Sequence, residues 1–144
     1  MNVILIRTDG GSRGNPGPAA SGYVIEKDEN VIASEGYPLG DTTNNVAEYT
    51  AVLRAFTWLA SHRESIGDIS GIELRMDSLL VCQQLNGVYK ITKPHLQEIY
   101  GQIQVLMKQF QVPITIKHVY REENTKADWL VNLALDSKMT VSLQ

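Results

Sequence analysis

Apolar residues recur along the chain in two rhythms. Val3-Ile4-Leu5-Ile6 is an unbroken apolar run, the pattern of a strand covered on both faces. Ser21-Gly22-Tyr23-Val24-Ile25-Glu26 and Val31 to Tyr37 read as two more strands. The charged turn Lys27-Asp28-Glu29-Asn30 between them predicts an antiparallel meander. Gly10 to Ala20 is dense in glycine and proline and reads as a loop. After that the period lengthens. From Thr43-Asn44, both good caps, to about His62, the residues Val46, Tyr49, Val52, Leu53, Phe56, Leu59 and Ala60 form one broad helical stripe. Ala47, Ala51 and Ala55 form a second row of small residues where another element can approach closely. Gly71 to Met76 predicts a fourth strand, and Ser78 to Leu85 a short helix ended by Asn86-Gly87. Pro94 to Phe110 predicts a longer helix with proline in its first turn, Pro113 to Lys117 a fifth strand, and Asn124 to Ser137 a last helix.

The order βββαβααβα starts with a meander and then returns to the sheet through helices. Such crossovers imply parallel pairing, so the prediction is an α/β domain with a mixed five-stranded sheet flanked by helices. The 144 residues suit one domain, expected to span 1–144. With Cys82 alone, an internal disulfide is excluded, and a reducing, cytoplasmic setting is expected. No apolar run approaches the ~20 residues of a membrane span. The start, Met1 to Ile6, lacks the length and cleavage site of a signal peptide, so no membrane partner is expected. Lys plus Arg number 13 against 16 Asp plus Glu, a net charge of −3. Alone, that argues against a nucleic-acid partner. Two bound divalent cations would add about four positive charges, so the balance excludes no phosphate ligand.

Four acids hold the chemical interest. Asp9 and Asp77 follow the first and fourth strands, and ligands of open α/β sheets bind beyond the carboxyl ends of strands. Glu48 lies in the first turns of the long helix at the edge of its stripe, and Asp128 in the first turn of the last helix. Each has an ordinary reading as well. Asp9-Gly10 is a plausible turn, Glu48 and Asp128 suit a helix N-terminus, and Asp77-Ser78 suits a cap. Together, four carboxylates at one end of a sheet with no matched cations repel, and divalent metal is the usual remedy. Oxygen donors favour Mg²⁺ or Mn²⁺ over zinc, and two such ions serve phosphodiester cleavage without a protein nucleophile.

The segment Thr8-Asp9-Gly10-Gly11-Ser12-Arg13-Gly14-Asn15-Pro16-Gly17-Pro18-Ala19 resembles the opening motif of type I ribonuclease H. Thr42-Thr43-Asn44-Asn45-Val46-Ala47-Glu48-Tyr49 resembles the second motif of that family, Met76-Asp77-Ser78 the third, and His118 through Asn124-Thr125-Lys126-Ala127-Asp128 the fourth. The resemblance covers nearly the whole chain in order. It implies the ribonuclease H-like fold, with strands 1, 4 and 5 parallel, and endonucleolytic cleavage of the RNA strand of RNA–DNA hybrids. The implied products carry a 5′-phosphate and a 3′-hydroxyl. It further implies that Asp9, Glu48, Asp77 and Asp128 are the catalytic metal ligands for two Mg²⁺ ions, with Mn²⁺ as substitute. His118 matches a mobile-loop histidine of proton transfer or product release, although by itself it reads as a surface histidine. Gly10, Gly11 and Ser12 are implied contacts to 2′-hydroxyls, and Asn15, Thr43 and Asn45 to the groove or phosphates. Asn15-Pro16-Gly17 is also an ordinary turn, and Thr43 an ordinary cap.

The chain departs from the longer family form. Only Asn86 to Pro94 separates the short helix from the next, so the lysine- and tryptophan-rich handle is missing. No separate hybrid-binding domain is expected ahead of the first strand, and Leu79 stands where some relatives carry Gln. A monomer is expected. Two other functions stay open: a non-catalytic hybrid- or RNA-binding module, and a related nuclease acting on double-stranded RNA or DNA. Trp58 and Trp129 read as packing residues between helices, and Cys82 as a small buried hydrophobe. Lys90, Lys93 and Lys117 are candidate phosphate contacts.

Overall fold

The computed structural model describes residues 2–143; Met1 and Gln144, the ends of the expected 1–144 domain, lie outside the described residues. Three long strands come first: β1 (Val3–Ser12), β2 (Gly17–Lys27) and β3 (Asn30–Thr42). Then follow α1 (Asn44–Ser61), the single turn α2 (Arg63–Ile66), β4 (Gly71–Met76), α3 (Leu79–Leu85) and α4 (Pro94–Lys108). β5 (Ile114–His118), a 3₁₀ turn (Arg121–Glu123) and α5 (Thr125–Ser137) complete the order. The strands form one sheet in the order β3-β2-β1-β4-β5. β1, β2 and β3 pair antiparallel, whereas β1 with β4 and β4 with β5 pair parallel, as the crossovers require.

Two predicted boundaries change. The segment Gly10 to Ala20 is mostly strand rather than loop, because β1 runs to Ser12 and β2 resumes at Gly17. Gly10 in this stretch, and Gly22 beyond it, make room for helices. A Cβ on Gly10 would run into the backbone of Ala47 and Glu48, and one on Gly22 into α5 at Ala127. The β2–β3 turn is tight as expected, with Asp28 and Glu29 at φ 53° and 66°.

The core lies between the sheet and the α1 face. Ile4, Ile6, Leu74, Tyr49, Phe56 and Leu59 are all fully buried there. The alanine row of α1 is buried too, which brings that helix down onto β1. Thr43 caps α1 by accepting a hydrogen bond from the Val46 N–H at 3.3 Å. On the opposite face, α5 packs Val131 and Ala134 against Ala20. Trp58 is half-buried and stacked on His62 at 4.0 Å, whereas Trp129 is 52% exposed, so only the first serves packing. Cys82 is buried, as expected. No helix among the described residues is long and apolar enough to cross a membrane.

Candidate active site

Backbone register builds the site. The parallel ladder of β1 and β4 ends at Thr8 opposite Met76, so Asp9 and Asp77 are the next residues on two adjacent strands where these part. Asp9 is therefore inside β1, still paired with Gly22 of β2, and not beyond the strand end as expected. α1 lies on Gly10 and carries Glu48 down with it, and Glu48 is only 7% exposed. Ser21 Oγ donates to the Ala47 carbonyl at 2.6 Å and fastens the same turn to β2. At the other side, buried Asn124 donates through Nδ2 to the Thr8 carbonyl at 2.8 Å. The Asn124 carbonyl accepts from the Asp128 N–H at 3.2 Å, which ties the start of α5 to the strand that carries Asp9.

Asp9, Glu48 and Asp77 each offer a carboxylate oxygen, and these oxygens lie within 4.8 Å of one another. Asp128 lines the same cleft outside that tight group. None of the ion pairs among the described residues involves any of the four. Arg13 and Arg121 do line the cleft, and Arg13 is engaged elsewhere with Asp136 at 2.7 Å. Burial, and then the charges of Asp77 and Asp128, push the Asp9 carboxyl up to about 8. Burial, and then Asp9 and Asp77, raise Glu48 in the same direction. Its buried Oε2 has no hydrogen-bond partner.

These features fit a hard divalent cation. Oxygens that share one magnesium ion with ~2.1 Å bonds lie at most about 4.2 Å apart, a separation that the 4.8 Å limit on these three acids accommodates. A cation would satisfy the orphaned Glu48 oxygen and cancel the repulsion that raises both carboxyls.

Of the predicted contact residues, Gly10, Gly11, Ser12 and Asn45 line the cleft, a space of about 600 Å³. Thr43 and Asn15 do not. Thr43 is occupied as the α1 cap, and Asn15 Oδ1 accepts from the Asn44 N–H at 3.1 Å. His118 is also outside the lining. It closes β5 opposite Met76, exposed, with its ring edge-on to Tyr120, so it belongs to a strand end and not a loop. Sequence reading missed Asn44, Ser78, Arg121 and Asn132, all in the lining. Asn44 and Ser78 each adjoin a named motif residue, which was the available signal.

A family model described as reverse transcriptase-like matches residues 7–134. Ribonuclease HI of Halobacterium salinarum is 41% identical over 129 residues, 89% of this chain and 62% of that protein. The chain belongs to the type I ribonuclease H family. The bifunctional protein Rv2228c of Mycobacterium tuberculosis is 39% identical over 136 residues, 93% of this chain. The chain spans only 36% of that relative's length. In three dimensions it is similar to LC11-RNase H1, isolated from compost by a metagenomic approach, with a TM-score of 0.87 and 42% identity. The likeness covers 96% of this chain and 99% of that one. LC11-RNase H1 is also known in complex with an RNA/DNA hybrid, and that complex matches with a TM-score of 0.86 at 41% identity, over 94% of this chain and 98% of the other.

Proposed function

We propose that this protein is a divalent-metal-dependent endonuclease that hydrolyses the RNA strand of RNA–DNA hybrids, leaving 5′-phosphate and 3′-hydroxyl ends. The observation that carries the reading is the unpaired carboxylate group: three acids within 4.8 Å, a fourth in the same cleft, and an orphaned buried oxygen. Family membership and the hybrid complex of LC11-RNase H1 support the choice of substrate. Asp9, Glu48, Asp77 and Asp128 would hold two Mg²⁺ ions, with Mn²⁺ as the substitute. When bound, such ions activate a water, polarise the scissile phosphate and stabilise the leaving 3′ oxygen.

The remaining work falls to the polypeptide. Gly10 and Gly11 let the backbone come close to the RNA strand, and Ser12 Oγ, buried without a partner, is free to bond a 2′-hydroxyl. Asn45 lies across the cleft on α1 as a second polar contact. His118, at the end of β5 opposite Met76, the residue before Asp77, would serve proton transfer or product release. The setting is cytoplasmic and the active unit a monomer.

The test compares labelled RNA–DNA hybrid, RNA duplex and DNA duplex with Mg²⁺, with Mn²⁺ and with chelator. Cutting confined to the RNA of the hybrid, and dependent on metal, is expected. Tight binding of hybrid with no cutting under either metal would instead identify a binding module.

A further inference from the structure

Strands hold two of the three clustered acids. Asp9 is paired within β1, and Asp77 follows Met76, whose carbonyl accepts from the Val119 N–H at 2.8 Å. Glu48 is the member of that trio carried by a helix, so its place depends on how α1 sits. Three carboxylates this close repel one another, and α1 is the piece that can give way.

Buried hydrogen bonds on the residues either side of Glu48 oppose that retreat. The Ala47 carbonyl accepts from Ser21 Oγ of β2 at 2.6 Å. Tyr49 is fully buried and donates its hydroxyl to Gln84 Oε1 of α3, also at 2.6 Å. β2 lies to one side of β1 in the sheet, and α3, packed against β5, lies to the other. The turn that carries Glu48 is therefore tied from both flanks. Gln84 Nε2 donates to the Lys90 carbonyl at 3.2 Å, so the amide cannot turn over without losing both of its bonds. Its helix starts at the cleft: Ser78, directly after Asp77, caps α3 by accepting from the Val81 N–H at 3.2 Å. Apolar packing needs only the ring of Tyr49, whereas the hydroxyl adds a bond of fixed length and direction.

We propose that Tyr49 and Gln84 are a positioning pair that holds Glu48 at cation-binding distance from Asp77, against the mutual repulsion of the acids. The inference rests on reading the cleft as a metal-dependent nuclease site, and it names what sets the affinity of that site for Mg²⁺.

Magnesium binding is the measurement, by calorimetry and by the rise in Tm that saturating Mg²⁺ gives. Tyr49→Phe removes one oxygen, and Gln84→Met keeps the length of the side chain but neither bond. The first should raise the Mg²⁺ Kd about threefold and the second about fivefold. The double variant should be no worse than Gln84→Met, because both changes break the same bond. Cleavage of labelled hybrid should need correspondingly more Mg²⁺, with kcat at saturating metal within about twofold and KM for hybrid unmoved. Arg54→Met, on the same helix outside these ties, should lower Tm and leave the Mg²⁺ Kd in place. A merely structural pair would behave as Arg54→Met does, and that result overturns the inference. Should Gln84→Met not fold, Tyr49→Phe decides by the same Kd. A protein that shows these Kd shifts yet cuts no hybrid upholds the pair and refutes the nuclease reading. One that cuts hybrid with unmoved Kd values does the reverse, and an unaltered protein that binds no Mg²⁺ overturns both.

Discussion

Helix α1 carries two charged side chains against the sheet six positions apart, and the fold treats them in opposite ways. Arg54 meets Glu35 in a two-pronged ion pair, at 2.7 and 2.9 Å, and lies 3.6 Å over the ring of Tyr37. The bond to Glu35 raises the Arg54 guanidinium further, and every group in that cluster has a partner of opposite sign or a ring face. Glu48 meets Asp9 and Asp77 instead, with one buried oxygen unbonded. The first cluster stabilises the fold by itself. The second stores repulsion that a cation can release, so the same helix anchors the scaffold at one point and holds it in tension at another.

The sharpest way to separate the two is to remove charge from each. Asp9→Asn or Asp77→Asn should cut hybrid cleavage by about a thousandfold or more. Without metal and above about pH 8, where the Asp9 carboxyl has lost its proton, Asp9→Asn should melt higher than the unaltered protein, because a like charge has gone. A full-rate Asp9→Asn enzyme would contradict the role given to that residue. Gly10→Ala should come next in size. Its new methyl meets the backbone of Ala47 and Glu48, so α1 must lift, at a cost of about 2 kcal/mol and about tenfold in kcat. Chemical denaturation and steady-state rates read the two losses.

Proton linkage gives a smaller effect with a fixed sign. Asp9 has an ordinary value of 3.8 and stands at about 8 in the folded protein. Between those limits the folded chain keeps a proton that the unfolded chain has lost, so stability is present at the acid end and declines as pH rises. The loss is complete above about 8, and Glu48 acts in the same direction. Melting in chelator should therefore fall from about pH 5 to about pH 9, and saturating Mg²⁺ should flatten the curve. A melting temperature that climbs across that window would be inconsistent with the arrangement. Arg54→Met should show the least change in activity: about 1 kcal/mol lost from stability, discounted for its partial exposure, with cleavage within about twofold.

Much of this architecture was legible in the residues. Period and caps located α1 and β4 nearly to the residue, since Thr43 does cap and the apolar stripe does face the sheet. The four acids were singled out because the sequence puts each near an expected strand end or helix start, within a family motif, although Asp9 lies inside β1. The glycine-rich stretch was misread for a physical reason. Gly10, Gly11 and Gly17 look like loop punctuation, yet they are strand residues, and Gly10 is there because a helix remote in sequence lies on it. Asn15, Thr43 and His118 fit their motifs, but their surroundings are set by tertiary contacts: a backbone N–H of α1 for the first, the helix cap for the second and the β5 register for the third. Arg121 entered the cleft through a 3₁₀ turn that carries no periodic signal.

The ladder between the first and fourth strands has a further bearing on how such a protein tolerates change. Adding or deleting one residue ahead of Asp9 or Asp77 would shift that acid about 3.3 Å lengthwise and rotate it to the other side of the pleat. Surface turns, helix tips and the reach to α4 are under no such restriction. The spacing between these two acids is therefore copied from a backbone repeat, and lineages can rebuild the periphery freely as long as those two short runs keep their count.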